Sequence, residues 1–149
     1  MGDEAPLDGT DREIVALLIA DARASLADIG RTVSLSPPAV KRRIERLETL
    51  GVITGYTTLV DHAKLGWPLE AFAELRFAGT TRVDDIAAVA KGIPEVQAVY
   101  TTAGDPDALA LLRVRDVEDL KRVIDRLRST GTVVGTKTLM VLGAWSPDR

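Results

Sequence analysis

The sequence has no cysteine and a single histidine, His62. Without thiols there is no disulfide framework, no thiolate metal site and no cysteine nucleophile. One imidazole rules out a multi-histidine zinc centre. A serine–histidine–acid triad would have to use His62, and no G-x-S-x-G signal places a serine for it. No nucleophile–base pair, metal cluster or phosphate loop is found, so an enzyme is the weakest of the function classes and neither metal nor cofactor is expected. Long apolar runs are missing too: nothing approaches the roughly 18 residues that a membrane-crossing helix needs. The first residues include Asp3 and Glu4 and no apolar stretch, unlike a signal peptide. The expectation is a cytoplasmic protein with no membrane partner.

What is present is a chain of 149 residues, 46% hydrophobic and 28% charged. That suffices for one medium domain or two small ones and is too apolar for a disordered chain. The net charge of −3 argues against nucleic acid, but its distribution argues the other way. Between Arg31 and Arg46 there are five basic residues and one acid, a local +4 that leaves −7 for the rest. A basic stripe on an acidic body says more than the total.

The first part reads as three helices. Thr10 and Glu13 make a capping box, followed by Ile14, Leu17 and Leu18 at helical spacing. Ser25 and Asp28 open a shorter helix with Leu26, Ile29, Gly30 and Val33 on one face. After a tight connection at Ser34 and Leu35, Ser36 caps the third helix and Pro37 takes its first position, where a missing N–H costs nothing. Leu35 and Val40 are spaced as a hydrophobic staple. Val40, Ile44 and Leu47 form the buried stripe, and Gly51 ends the helix. Val52 to Val60 has strand character and is read as a wing, with Tyr56 packed against it. Gly66 and Pro68 mark a linker in which His62 is solvated.

The second part predicts a β-α-β-β-α-β order, a ferredoxin-like sheet with both helices on one face. Strands are expected at Glu70–Ala78, Glu95–Ala103, Ala108–Val114 and Thr132–Leu142. One helix is expected after Thr81, with Val83, Ile86, Ala87 and Ala90, and another after Asp116, with Leu120, Val123, Ile124 and Leu127. The fold class is thus α+β, a winged helix-turn-helix at residues 1–60, a linker at 61–69 and a second domain at 70–149. Strand residues of both parities are apolar. Ala108, Ala110, Leu112 and Val114 oppose Leu109 and Leu111, and simple alternation sets Val134, Met140 and Leu142 against Val133, Leu139 and Val141. A sheet apolar on both faces usually buries both. The helices cover one, and a two-fold-related second copy is the simplest cover for the other, so a homodimer is expected.

The helix from Pro37 to Leu50 is the sharpest functional signal, because Lys41, Arg42, Arg46 and Arg43 lie off its apolar stripe. Preceded by a short helix and a tight turn, it has the form of a reading helix, which a DNA major groove admits. Ser36, Pro38, Lys41 and Arg42 stand near its N-terminal end for base edges, and Arg43 and Arg46 are placed for phosphates. The plainer alternative is a solvated basic face. Four such cations per monomer would neutralise about eight phosphates in a dimer, for a log–log salt slope near −7.

Leu7-Asp8 through Asp11, Ala22-Arg23, Leu35-Ser36-Pro37, Val40, Arg43-Ile44-Glu45-Arg46-Leu47-Glu48, Gly51-Val52-Ile53, Gly55-Tyr56 and the turn Gly104-Asp105-Pro106-Asp107 together resemble the Lrp/AsnC (feast/famine) transcription regulators. The resemblance runs from Leu7 to Leu142. It implies a winged helix-turn-helix joined to a ligand-binding and oligomerisation (RAM-like) domain, dimers that associate further into octamers, and sensing of an amino acid or similar metabolite. It also implies pocket residues Gly104, Asp105, Asp107, Thr136 and Thr138. A glycine turn exposes N–H groups for a carboxylate, and a nearby Asp suits an α-ammonium. Against this, Gly-Asp-Pro-Asp also makes a good hairpin turn with no ligand. The chain departs from the family at Pro106 and Ala108, commonly aromatic there. That departure keeps open an alternative function, a DNA-wrapping architectural protein without effector response.

Overall fold

Three helices open the chain: α1 (Gly9–Ala20), α2 (Leu26–Val33) and α3 (Pro37–Thr49). The computed structural model describes residues 7–79, 85, 88 and 90–144, and it divides into two units between Leu59 and Val60. α1 begins two residues before the start that a Thr10–Glu13 box predicts, because Asp8 is its N-cap. The Asp8 carboxylate accepts from the Asp11 N–H at 2.7 Å, and the Asp11 carboxylate accepts from the Asp8 N–H at 3.2 Å. Aspartate is the stronger cap, and this reciprocal pair satisfies two otherwise orphaned donors.

Ser25 caps α2 as expected, accepting from the Asp28 N–H at 3.1 Å. The turn into α3 is tight. The Leu35 N–H donates to the Gly30 carbonyl at 2.9 Å, and Ser34 takes a left-handed conformation with φ 56°. A Cβ on Gly30 would lie 2.4 Å from the Leu35 oxygen, so only hydrogen fits there. Ser36 is the N-cap of α3 by backbone position, but its hydroxyl makes no capping bond, contrary to the expectation. Pro37 and Pro38 have no N–H to satisfy, and the Ala39 N–H already bonds to the Ser36 carbonyl at 2.9 Å. Ile14, Ile29, Val40 and Leu47 are fully buried where the three helices meet, with Leu35, Ile44 and Ile53 packed around them.

The expected wing is not formed: no strand is present over 52–60. The Val52 and Ile53 N–H groups fold back onto the Leu47 carbonyl at 2.9 and 3.2 Å. Among the described residues, no strand neighbours the backbone beyond Gly55, and a strand without a ladder partner is not stable. Tyr56, read as packed, is exposed, with its hydroxyl donating to Glu48 Oε1 at 2.8 Å. That bond and burial raise the phenol pKa. His62, expected to be solvated, is half-buried. Its Nδ1 is shielded from solvent, and its carbonyl accepts from Leu65 and Trp67 at 3.1 and 2.9 Å.

The second unit contains β1 (Leu69–Phe77), β2 (Val96–Thr101), β3 (Ala108–Val114), α4 (Val117–Arg128) and β4 (Val133–Met140). The sheet is antiparallel in the order β2-β3-β1-β4, the ferredoxin-like arrangement. The helix expected after Thr81 falls largely outside the described residues. Of it, Asp85, Ala88 and Ala90 are described and are helical. Asp116 caps α4, accepting from the Asp119 N–H at 2.7 Å. Leu120, Val123, Ile124 and Leu127 pack α4 onto one sheet face with Ala71, Ala73, Leu75, Ala108, Ala110, Leu112 and Val114.

The other face carries Phe72, Leu109, Leu111, Tyr100 and Leu139, as the register sets them. Tyr100 and Leu139 are exposed and the other three only partly covered. Simple alternation fails in β4. Arg76 pairs with Gly135 while Phe77 pairs with Val133, so Val134 is an extra residue. The bulge puts Val133 on the helix face together with Thr136, Thr138 and Met140, and Val133 is buried there.

Candidate nucleic-acid interface and ligand turn

α3 is amphipathic, and its two sets of cations have different surroundings. Val40 and Leu47 fix which side is buried, leaving Ser36, Pro38, Lys41, Arg42 and Glu45 exposed towards the helix N-terminus. Lys41 Nζ lies 3.6 Å from Glu45 Oε1, both well exposed, a pair of small energetic weight. Among the described residues Arg42 makes no ion pair. Arg43 and Arg46 point to α1 instead. Arg43 Nη1 donates to Asp8 Oδ2 and Asp11 Oδ1, both at 2.7 Å, and Arg46 Nη1 donates to Asp11 Oδ2 at 3.0 Å. Asp11 is fully buried, and two guanidiniums and the Asp8 N–H satisfy its carboxyl oxygens there. The Asp11 N–H and then Arg43 hold the Asp8 carboxyl below its ordinary range, and Asp8 and then Asp11 raise the Arg43 pKa.

Charge and spacing alone group all four cations as one basic face. They do not reveal Asp8 and Asp11, whose arginine partners stand 32 to 35 residues away. The signal available was acids at i, i+3 facing arginines at i, i+3 on another helix. α2 adds Arg31, which pairs with Asp28.

In the second unit, the turn between β2 and β3 is tied to the end of β1. Gly104 has φ +135°, open to glycine and strained for other residues. Asp105 forms a two-pronged pair with Arg76, Nε to Oδ1 and Nη2 to Oδ2, both 2.8 Å. It raises the Arg76 pKa through those bonds. Asp107 completes the strand pairing. Its N–H donates to the Leu75 carbonyl at 3.1 Å, and its Oδ2 accepts from the Phe77 N–H at 2.8 Å. Thr136 Oγ1 accepts from Arg128 Nε at 2.9 Å and Nη2 at 2.5 Å.

The five expected pocket residues are therefore not all in one place. Gly104, Asp105 and Asp107 share the turn. Thr136 and Thr138 lie across β1, in register with Leu75 and Ala73, on the helix face. Two strand spacings, about 10 Å, separate β3 from β4 across β1. Arg76 and Arg128, which the sequence reading did not single out, are the cations that meet these groups.

Among the described residues, no helix is long and apolar enough to cross a membrane, and no cluster of three or more His, Asp or Glu could hold a metal ion. The AsnC-type helix-turn-helix domain model matches residues 7–48, and the Lrp/AsnC ligand binding domain model matches residues 70–149. The HTH-type transcriptional regulator Rv2324 of Mycobacterium tuberculosis is 41% identical over 136 residues, covering 91% of this chain and 92% of that protein. The crystal structure of the Mycobacterium tuberculosis leucine response regulatory protein, LrpA, aligns with a TM-score of 0.83 at 33% identity, covering 96% of this chain and 97% of that one. The feast or famine regulatory protein of the same organism, solved complexed with L-methionine, aligns with a TM-score of 0.89 at 33% identity, covering 97% of each chain.

Proposed function

The chain belongs to the Lrp/AsnC family of transcriptional regulators, and from that premise we propose that it is a homodimeric, cytoplasmic DNA-binding regulator, without catalytic activity, whose grip on duplex DNA is tuned by an amino acid. Residues 1–60 form the DNA-reading part, 61–69 the linker, and 70–149 the effector-binding and self-associating part. The observation that carries the reading is the exposed N-terminal end of α3. Ser36, Pro38, Lys41 and Arg42 face outward there, while Arg43 and Arg46 hold the helix to α1 through Asp11. The first four meet the groove, and the last two set the angle at which the helix is presented. With Lys41 and Arg42 as the phosphate-neutralising pair, a dimer covers about four phosphates, for a salt slope near −4. That is weaker than the slope expected when all four cations take part. Paired helices read half-sites about 34 Å apart.

The half-covered face with Phe72, Leu109 and Leu111 supports self-association. The rim pairs Glu70–Arg113 and Glu74–Lys137 leave that face nearly neutral. Octameric assembly is proposed on the family's pattern. The effector reading is supported by the methionine-bound relative and by the Gly104–Asp107 turn. Gly104 and Asp105 are the first contacts, Thr136 and Thr138 reach an effector only from the opposite face, and Asp107 shapes the turn. The second reading, an architectural protein without effector, is favoured by Asp105 and Asp107 both being engaged within the chain.

Fluorescence anisotropy on DNA from the protein's own promoter region, titrated with salt, tests the DNA reading. Arg42→Ala is expected to weaken binding and to lower the slope by about 2 per dimer. Unchanged affinity would reject α3 as the reader. A thermal-shift panel of amino acids separates the two functions, since a ligand at 100 times its Kd stabilises by about 2.7 kcal/mol.

A further inference from the structure

We propose that Glu45 is a specificity-determining residue of the reading helix, accepting from the exocyclic amino group of a cytosine in the DNA major groove. This rests on the DNA reading above and goes beyond it by naming a base. Glu45 is the only acid between Arg31 and Arg46. At about 3.6 residues per turn, it lies roughly 140° and 160° around α3 from Val40 and Leu47, the buried pair, with Lys41 about 40° to one side of it and Arg42 about 60° to the other. An acid therefore stands between the two cations that meet the DNA backbone.

The stability of the helix does not account for an acid there. Lys41 Nζ and Glu45 Oε1 are 3.6 Å apart, with side chains 64% and 58% exposed, which is too long for a hydrogen bond and too wet for a strong pair. A cation four residues before an acid is also the weaker order on a helix. Glu45 stands nearer the negative C-terminal end of α3 than the positive one, so the helix dipole does not favour it either. The other acid of α3, Glu48, is taken by the Tyr56 hydroxyl at 2.8 Å, whereas among the described residues the Glu45 carboxylate accepts no hydrogen bond. In a groove this carboxylate is repelled by phosphates and by every acceptor on a base edge, and only a donor offsets that. The major groove offers two kinds, the amino groups of cytosine and adenine. Adenine sets its N7 acceptor beside the amino group, against the second carboxylate oxygen, while cytosine presents the amino group alone. Cytosine is the match. Any pair without it leaves an acid facing acceptors, so Glu45 works chiefly by rejecting wrong sites.

The test is selection of binding duplexes from a randomised library by the full chain, followed by competition with single base-pair changes in the selected site. Wild type is expected to select a cytosine at one fixed position of each half-site, and to lose about tenfold in affinity when that C·G pair becomes T·A. Glu45→Ala, at an exposed helical position, is expected to keep the helix content and the rest of the site. It should accept C·G and T·A equally at that position and bind random duplex more tightly than wild type. Glu45→Gln is expected to move the position to adenine, which a glutamine amide matches with both donor and acceptor. If wild type and Glu45→Ala select the same bases at every position, this proposal is overturned and the DNA reading stands. A selected site without a fixed cytosine, or loss of all binding in both variants, has the same consequence. A wild type that binds no duplex overturns the DNA reading, and this proposal with it.

Discussion

Asp11→Ala is the perturbation that most directly probes how the reading helix is held. The substitution removes one buried carboxylate and with it one acceptor each of Arg43, Arg46 and the Asp8 N–H, while Arg43 keeps Asp8. Removing one partner of a buried ion pair costs about 3–5 kcal/mol. Here the side chains of Arg43 and Arg46 are 29% and 37% exposed and regain some hydration, which places the loss at the lower end, about 3 kcal/mol. Among the described residues, the first unit has four fully buried apolar side chains, Ile14, Ile29, Val40 and Leu47. A unit of roughly 50 residues has about 3–8 kcal/mol in total. The variant therefore loses a third or more of the stability of its reading unit. Differential scanning calorimetry of the full chain should show the helical transition displaced downward by 10 °C or more (about 4–8 °C per kcal/mol at this size). Asp11→Asn, which keeps the shape and one acceptor, should fall between. A shift below about 1 kcal/mol, the weight of a surface pair, would refute the view that this network carries the helix.

Three further outcomes follow from the geometry. Gly30→Ala would put a methyl group 2.4 Å from the Leu35 oxygen. It should destabilise the first unit by about 1–3 kcal/mol despite the better helix propensity of alanine, as chemical denaturation would measure. Leu111→Glu puts a charge on the half-covered sheet face opposite Phe72, and should shift sedimentation from dimer to monomer without lowering helix content. Asp119, buried and hydrogen-bonded first by Arg115 and then by Arg122, has its pKa held well below the ordinary carboxylate value. Its stabilisation is complete above the unfolded value of about 3.9 and is lost as pH falls through the depressed folded value. Melting of the second unit should be level from pH 7 to about pH 4 and fall below that, while Asp119→Asn should be less stable at pH 7 with a flatter acid limb.

The sequence by itself determined most elements whose cause is local, although α1 starts at the Asp8–Asp11 box and not at Thr10, and Ser36 caps α3 without a side-chain bond. Ser25 caps α2, Pro37 opens α3 and Gly51 closes it at φ +69°. The alternation of Ala108 to Val114 is the strand observed, and the spacing of Leu120, Val123, Ile124 and Leu127 is the face α4 buries. These signals act within a turn or two of helix or along one strand, so composition and spacing contain them. What tertiary structure decided are the matters that need a distant partner. Val52 to Val60 has strand composition but, among the described residues, no strand to pair with, and stays irregular. One extra residue opposite Arg76 and Phe77 reverses the parity of β4 and sends Thr136 and Thr138 to the helix face, away from Asp105. Of four cations on one basic helix, two were claimed by carboxylates from α1, and Arg76 met Asp105 across 29 residues. Charge and periodicity say which side chains can pair. Which of them do is set by the register of strands and the crossing of helices, because an ion pair or a ladder bond exists only where packing brings both partners within about 3 Å.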